Sequence, residues 1–236
     1  MLLLLACEKP TAFGPSTYIP PADTAVVTVP GDTASSPKTY LALGDSYTIG
    51  QSVSVADRFP VQTVALLNNL YTTFSQPEII AQTGWTTANL LSAINSNPPS
   101  KPSYDIVSLL IGVNNQYQHR TQNEYRLEFT TLLERAIQYA GNKKNRVFVL
   151  SIPDYSVTPF ASASNTALIA KQIDSFNLIN KSLALQYQVN YLNITEDTRQ
   201  AAVDPSLIAS DGLHPSASGY AVWAAKLAPM IQLALR

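Results

Sequence analysis

Cysteine and histidine are the scarcest chemistry-bearing residues of this 236-residue chain, with one of the former and two of the latter. A single thiol excludes an intramolecular disulfide, and Cys7, His119 and His214 are too widely separated to form a zinc cluster. Charge is scarce as well: Asp, Glu, Lys and Arg make up 13% of the residues, about half the usual quarter. With a formal net charge of -1 and a pI near 6.1, the chain lacks the basic footprint that nucleic acid or an anionic membrane surface recruits. No internal repeat is present, and beyond the N-terminus no run approaches the 18 apolar residues of a membrane-spanning helix. The chain is nevertheless 46% hydrophobic, which opposes disorder. The polarity is carried mainly by Ser, Thr, Asn and Gln.

The N-terminal 37 residues differ from the rest. Met1 to Cys7 is an apolar run without a basic start, shorter than the core of a secretory signal. Leu4-Leu5-Ala6-Cys7 nevertheless resembles the lipobox of bacterial lipoproteins, in which cleavage precedes a cysteine that takes a diacylglyceryl anchor. The short leader implies a true start upstream of Met1. From residue 8 to 37, Pro10, Pro15, Pro20, Pro21, Pro30 and Pro37 alternate with Thr, Ser, Ala and Gly, a composition that favours extended, solvated backbone. The expected organisation is a truncated lipoprotein-type signal over 1–7 with Cys7 lipidated, a tether over 8–37, and a monomeric folded domain over 38–236. That domain is long enough for one sizeable core. It would be held at a bacterial envelope membrane on the extracytoplasmic side.

Within the domain, short apolar runs alternate with longer helical patterns, the signature of βαβ units and a parallel sheet. Strands are predicted at Tyr40–Gly44, Glu78–Gln82, Asp105–Gly112, Arg146–Ile152 and Val189–Ile194, each apolar on both faces as strands covered by helices on both sides should be. The clearest helix runs from about Gln122 to Ala140, with Thr121 and Glu124 forming a capping box. A last helix carries Tyr220, Trp223, Leu227 and Ile231 on one face, and Pro229 is expected to kink or shorten it. The predicted fold is a three-layer α/β domain with five strands in the order 2-1-3-4-5, which places ligands beyond the strand C-termini.

The segments just past the strand ends therefore carry the most information. Gly44-Asp45-Ser46 ends the first strand, Gly84-Trp85 comes after the second, Gly112-Val113-Asn114-Asn115 after the third, and Asp211-Gly212-Leu213-His214-Pro215 lies in the last loop. Each fragment alone reads as an ordinary turn or cap. Together they make the parts list for acyl transfer. A serine hydroxyl needs an adjacent base, and histidine has the best-matched ordinary pKa, which makes Ser46 and His214 the candidates. Asp211, three residues before His214, is placed to hold the second ring nitrogen and to stabilise the imidazolium. The backbone N–H groups of Ser46 and Gly84 and the side-chain amide of Asn114 are candidate donors to an oxyanion. Tyr47, Trp85, Tyr117, Tyr155 and Phe160 either line an apolar substrate pocket or pack as core or lid.

At these residues the sequence resembles the SGNH (GDSL-type) hydrolase superfamily: Gly44-Asp45-Ser46-Tyr47 matches its first block, Gly84 its second, Gly112-x-Asn114 its third and Asp211-x-x-His214 its fifth. The likeness spans about Thr39 to the C-terminus and is closest to bacterial lysophospholipase-like and short-chain esterases. It implies a flavodoxin-like three-layer fold and a serine esterase or lipase that needs no metal or cofactor and acts on a small-molecule ester. Two positions depart from the common pattern: Tyr47 replaces Leu, and Asn115 replaces the Asp often found after the oxyanion asparagine. The latter changes charge beside the site and is expected to alter substrate preference.

Rival motifs fit less well. Ser46 lacks the second glycine of a G-x-S-x-G elbow, and neither a dinucleotide glycine fingerprint nor a P-loop is present. A carboxylate pair from Asp45 and Asp211 would leave Ser46, Asn114 and His214 without roles. Two alternatives share the same residues: a carbohydrate O-acetyl esterase, and a surface lipoprotein that binds glycan or lipid on this scaffold without turnover.

Overall fold

Residues 36–68 and 73–236 are described by a computed structural model of the chain. Cys7 and the tether as far as residue 35 lie outside the described residues. The strands are β1 (Tyr40–Gly44), β2 (Glu78–Ala81), β3 (Ile106–Leu110), β4 (Val147–Leu150) and β5 (Asn190–Leu192). The helices are α1 (Ser46–Ile49), α2 (Phe59–Asn68), α3 (Thr87–Ser96), α4 (Val113–Tyr117), α5 (Gln122–Tyr139), α6 (Thr166–Tyr187), α7 (Thr195–Arg199) and α8 (Ala217–Ala234). The strands form one parallel sheet in the order β2-β1-β3-β4-β5, the topology expected from the sequence.

Helices α2 and α8 pack together on one face, and α3, α5 and α6 form a contiguous layer on the other. The aromatic packing divides in the same way. Phe59, Tyr220 and Trp223 cluster between α2 and α8, and Tyr125, Phe129 and Phe176 cluster between α5 and α6. Every residue of β1, β3 and β4 is buried, because helices cover both faces of these central strands. The edge strands differ from expectation: β2 is half-buried throughout and β5 is half-buried at Asn190 and Tyr191. Pro229 does not shorten α8, which continues to Ala234. Pro229 and Ala225, whose carbonyl loses its donor, both lie on the exposed face, so water can satisfy that carbonyl while Tyr220, Trp223, Leu227 and Ile231 stay anchored in the core.

Strand register explains how distant motifs meet. Gly44 lies opposite Ala81 of β2 on one side and Leu110 of β3 on the other. The segments beyond these three residues therefore leave the sheet side by side at its C-terminal edge.

Candidate active site

The turn from β1 into α1 sets the position of Ser46. Asp45 is the N-cap, and its Oδ1 accepts from the Tyr47 N–H at 3.0 Å, which starts the helix with Ser46 as its first residue. Gly44 is demanded by close packing: a Cβ there would stand 2.1 Å from Thr48 Oγ1 and 2.4 Å from Leu110 O. Asp45 is only 1% exposed. Burial raises its carboxyl to about 7, against the lowering effect of its hydrogen bonds from backbone N–H groups.

His214 bridges Ser46 and Asp211. Its Nε2 is 2.9 Å from Ser46 Oγ, and its Nδ1 is 2.6 Å from Asp211 Oδ2. The Asp211 oxygens also accept from Ser52 Oγ at 2.7 Å, from Leu213 N at 2.9 Å and from His214 N at 3.0 Å. Partial burial of Asp211 opposes ionisation, but these four donors outweigh it and lower the carboxyl to about 2. An ionised carboxylate only accepts, so the shared hydrogen belongs on Nδ1. That tautomer leaves the Nε2 lone pair facing the Ser46 hydroxyl. Ser52, whose φ is 67°, has no signal in the sequence and reaches Asp211 across 159 positions of chain.

Asn114 is carried by α4, which begins immediately after Gly112. The Gly112 φ of 133° favours glycine, and a Cβ would meet Tyr125 at 2.6 Å and Ile152 at 2.8 Å. Asn114 Nδ2 donates to Trp85 O at 2.9 Å, which fixes the nitrogen end of the amide and leaves its second N–H free of this bond. Gln118 Nε2 donates to Gly84 O at 3.2 Å, so the loop after β2 is tied to α4 through two successive carbonyls. The backbone N–H groups of Ser46 and Gly84 take no part in the turn, loop and cap hydrogen bonds of the described residues.

Ser46, Asn114 and His214 open into a cleft of about 400 Å³ that Tyr47, Val113, Tyr117, Tyr155, Phe160 and Leu213 also line. Tyr47 is 3% exposed, and its ring centroid lies 4.8 Å from that of His214. Burial, reinforced by the charges of Asp45 and Asp211, pushes its phenol well above the ordinary range. Tyr117, Tyr155 and Phe160 contact one another as an aromatic wall, with the Tyr155 hydroxyl donating to Gln116 Oε1 at 2.8 Å.

Two residues singled out in the sequence, Trp85 as a candidate pocket member and Asn115 as a neighbour of the site, turn their side chains elsewhere. Trp85 is not among the residues lining the cleft: its half-buried side chain packs against the core, and its carbonyl serves Asn114 instead. Asn115 does not bear on the cleft at all. It is 1% exposed, accepts from Thr87 N at 3.0 Å and donates to Thr87 Oγ1 at 2.6 Å, thereby fastening the start of α3. The turn of about 100° from Asn114 to Asn115 carries the second side chain away from the cleft and into the packing against α3. Gly84 is held close to Asn114: its carbonyl accepts from Gln118 Nε2 and the next carbonyl, that of Trp85, accepts from Asn114 Nδ2. Among the described residues no group of three or more His, Cys, Asp or Glu side chains is arranged to hold a metal ion.

Solved structures with the same arrangement of elements include an acetylxylan esterase, Axe2, from Geobacillus stearothermophilus, with a TM-score of 0.62 and 17% identity over 82% of this chain and 94% of that one. They also include the lipase Lip_vut3 from a goat rumen metagenome, with a TM-score of 0.65 and 21% identity over 82% and 97%. A third is a lipase/acylhydrolase from Enterococcus faecalis, with a TM-score of 0.63 and 16% identity over 83% and 95%. At such identities the likeness speaks for the fold. No curated protein sequence matches the chain. The profile of the GDSL-like lipase/acylhydrolase family, however, matches residues 42–222. Because that match runs unbroken from β1 through the elements that carry Ser46, Gly84, Asn114, Asp211 and His214, the chain belongs to this family of SGNH hydrolases.

Proposed function

We propose that the protein is a serine esterase that hydrolyses carboxylic esters through an acyl-enzyme on Ser46. Ser46 Oγ attacks the ester carbonyl carbon as its proton passes to His214 Nε2, and Asp211 stabilises the imidazolium from the Nδ1 side. The oxyanion is received by the N–H groups of Ser46 and Gly84 and by Asn114 Nδ2. His214 then protonates the departing alkoxide. Water attacks the acyl carbon while giving its proton to His214, and collapse of the second intermediate returns that proton to Ser46. The observation that carries the reading is the continuous Ser46–His214–Asp211 contact at 2.9 and 2.6 Å, with Asp211 held ionised.

The test is hydrolysis of p-nitrophenyl acetate, butyrate and octanoate by wild type, Ser46→Ala and His214→Ala. Turnover should vanish in both variants, and unchanged turnover in purified Ser46→Ala refutes the proposal. A fluorophosphonate should label wild type at Ser46, whereas a scaffold that only binds glycan or lipid should stay unlabelled. A sugar O-acetyl ester as substrate uses the same residues, and the family fold shared with an acetylxylan esterase favours including such esters in the panel. We further propose that Cys7 carries a lipid and anchors the domain to the outside of a bacterial envelope membrane. Mass spectrometry of membrane-fraction protein should find a diacylated Cys7 as the N-terminus; an unmodified Cys7 in that fraction refutes the anchor.

A further inference from the structure

Gln51 and Ser52, two consecutive residues just beyond α1, touch three separate parts of the site. Helix α1 opens with Ser46, and Gly50 closes it in the left-handed region with a φ of 68°. The Gln51 N–H donates to the carbonyl of Ser46 itself at 3.0 Å, and Val53 packs against the core on the other side, so the dipeptide is anchored at both ends. From there Ser52 Oγ donates to Asp211 Oδ2 at 2.7 Å, and Gln51 Oε1 accepts from Thr83 Oγ1 at 2.7 Å. Thr83 immediately precedes Gly84. Three successive residues of the loop after β2 are thereby fastened: Thr83 to Gln51, Gly84 through its carbonyl to Gln118, and Trp85 through its carbonyl to Asn114. Asn114 and Gln118 hold this loop from the side of α4, and Gln51 holds it from the side of the nucleophile. Ser52 has a φ of 67°, a conformation that glycine adopts without strain. What glycine lacks is the hydroxyl, the second donor to the carboxylate oxygen that His214 Nδ1 uses.

We propose that Gln51 and Ser52 are positioning residues of the reaction: Ser52 fixes the Asp211 carboxylate against His214, and Gln51 fixes the loop that presents the Gly84 N–H to the oxyanion. The inference rests on the esterase reading of Ser46. Because the dipeptide is bonded to the Ser46 carbonyl, it holds acid and oxyanion donor in the frame of the nucleophile. The Leu213 and His214 N–H groups pin Asp211 Oδ1, and Ser52 sets where Oδ2 lies around that pin. Neither Gln51 nor Ser52 lines the cleft. Each therefore acts through another residue, and its loss falls on kcat rather than on KM.

The test measures kcat and KM of the full chain on p-nitrophenyl acetate for wild type, Ser52→Ala, Ser52→Gly, Gln51→Ala and Gln51→Glu, with Tm on each sample. Ser52→Ala and Ser52→Gly should both lose about tenfold in kcat with KM within about twofold of wild type. Glycine relieves the left-handed backbone, so Ser52→Gly should have the higher Tm of the two and still lack the activity. Gln51→Ala should lose about tenfold in kcat, whereas Gln51→Glu keeps an accepting oxygen for Thr83 and should stay within about threefold of wild type. Wild-type kcat in Ser52→Gly, a Gln51→Ala kcat within about twofold of wild type, or a Gln51→Glu as impaired as Gln51→Ala overturns the proposal while the esterase reading stands. Absence of p-nitrophenyl acetate hydrolysis by folded wild type overturns both.

Discussion

Replacing Asp211 by asparagine alters one heavy atom and should nearly abolish turnover, because all four groups around that carboxylate are donors. Oδ1 receives two backbone N–H groups, from Leu213 and His214, and Oδ2 receives Ser52 Oγ and His214 Nδ1. An amide has one accepting oxygen and one donating nitrogen, so one side of this arrangement must face an NH₂. The backbone pair is fixed by the turn, whereas the imidazole can change tautomer and the Ser52 hydroxyl can rotate. The amide oxygen therefore takes the Oδ1 place and its nitrogen donates to Nδ1. The ring hydrogen then moves to Nε2, where it points at Ser46 Oγ and leaves no lone pair to receive the hydroxyl proton. In serine proteases the same exchange lowers kcat about 10⁴-fold, equivalent to roughly 5 kcal/mol of barrier. The assay is kcat for p-nitrophenyl butyrate at pH 8, with Tm measured on the same sample. An Asp211→Asn enzyme within tenfold of wild type, folded and unchanged in Tm, refutes the assignment of the ring hydrogen to Nδ1.

Asn114→Ala removes one oxyanion donor and should lower kcat by about 100- to 1,000-fold with little change in KM; a change confined to KM would instead make Asn114 a binding residue. For Asp45, burial raises the folded carboxyl to about 7 from its ordinary value of 3.8. Between those values the native state keeps a proton that the unfolded chain has released, so this group's contribution to stability falls as pH rises through the window. Asp45→Asn keeps an oxygen for the Tyr47 N–H and escapes that loss. Relative to wild type, it should gain roughly 4 kcal/mol between pH 4 and pH 8 in urea denaturation, and a difference independent of pH contradicts the burial argument. Gly44→Ala forces a methyl group against Thr48 Oγ1 and Leu110 O. It should cost roughly 3 kcal/mol, on the order of 10 °C in Tm for a domain of this size, and a Tm within 2 °C of wild type would contradict the packing.

The parts of the site that are legible in the sequence are those whose placement stems from strand register. Once β1 lies between β2 and β3, the residues after Gly44, Ala81 and Leu110 must emerge together. The glycines at 44 and 112 mark turns that tolerate no side chain, so these motifs announce both their location and their backbone shape. Asn115 reads in the sequence as a charge change beside the site, because adjacency along the chain suggests adjacency in space. Helical rotation separates the two: Val113, Asn114 and Tyr117 face the cleft while Asn115 and Gln116 are buried. Trp85 draws notice for its ring, yet its carbonyl is the part that touches the site. Ser52 is beyond reach for a different reason. Its contact with Asp211 depends on a left-handed residue in a loop and on closure across 159 positions, and neither leaves a periodic or compositional trace.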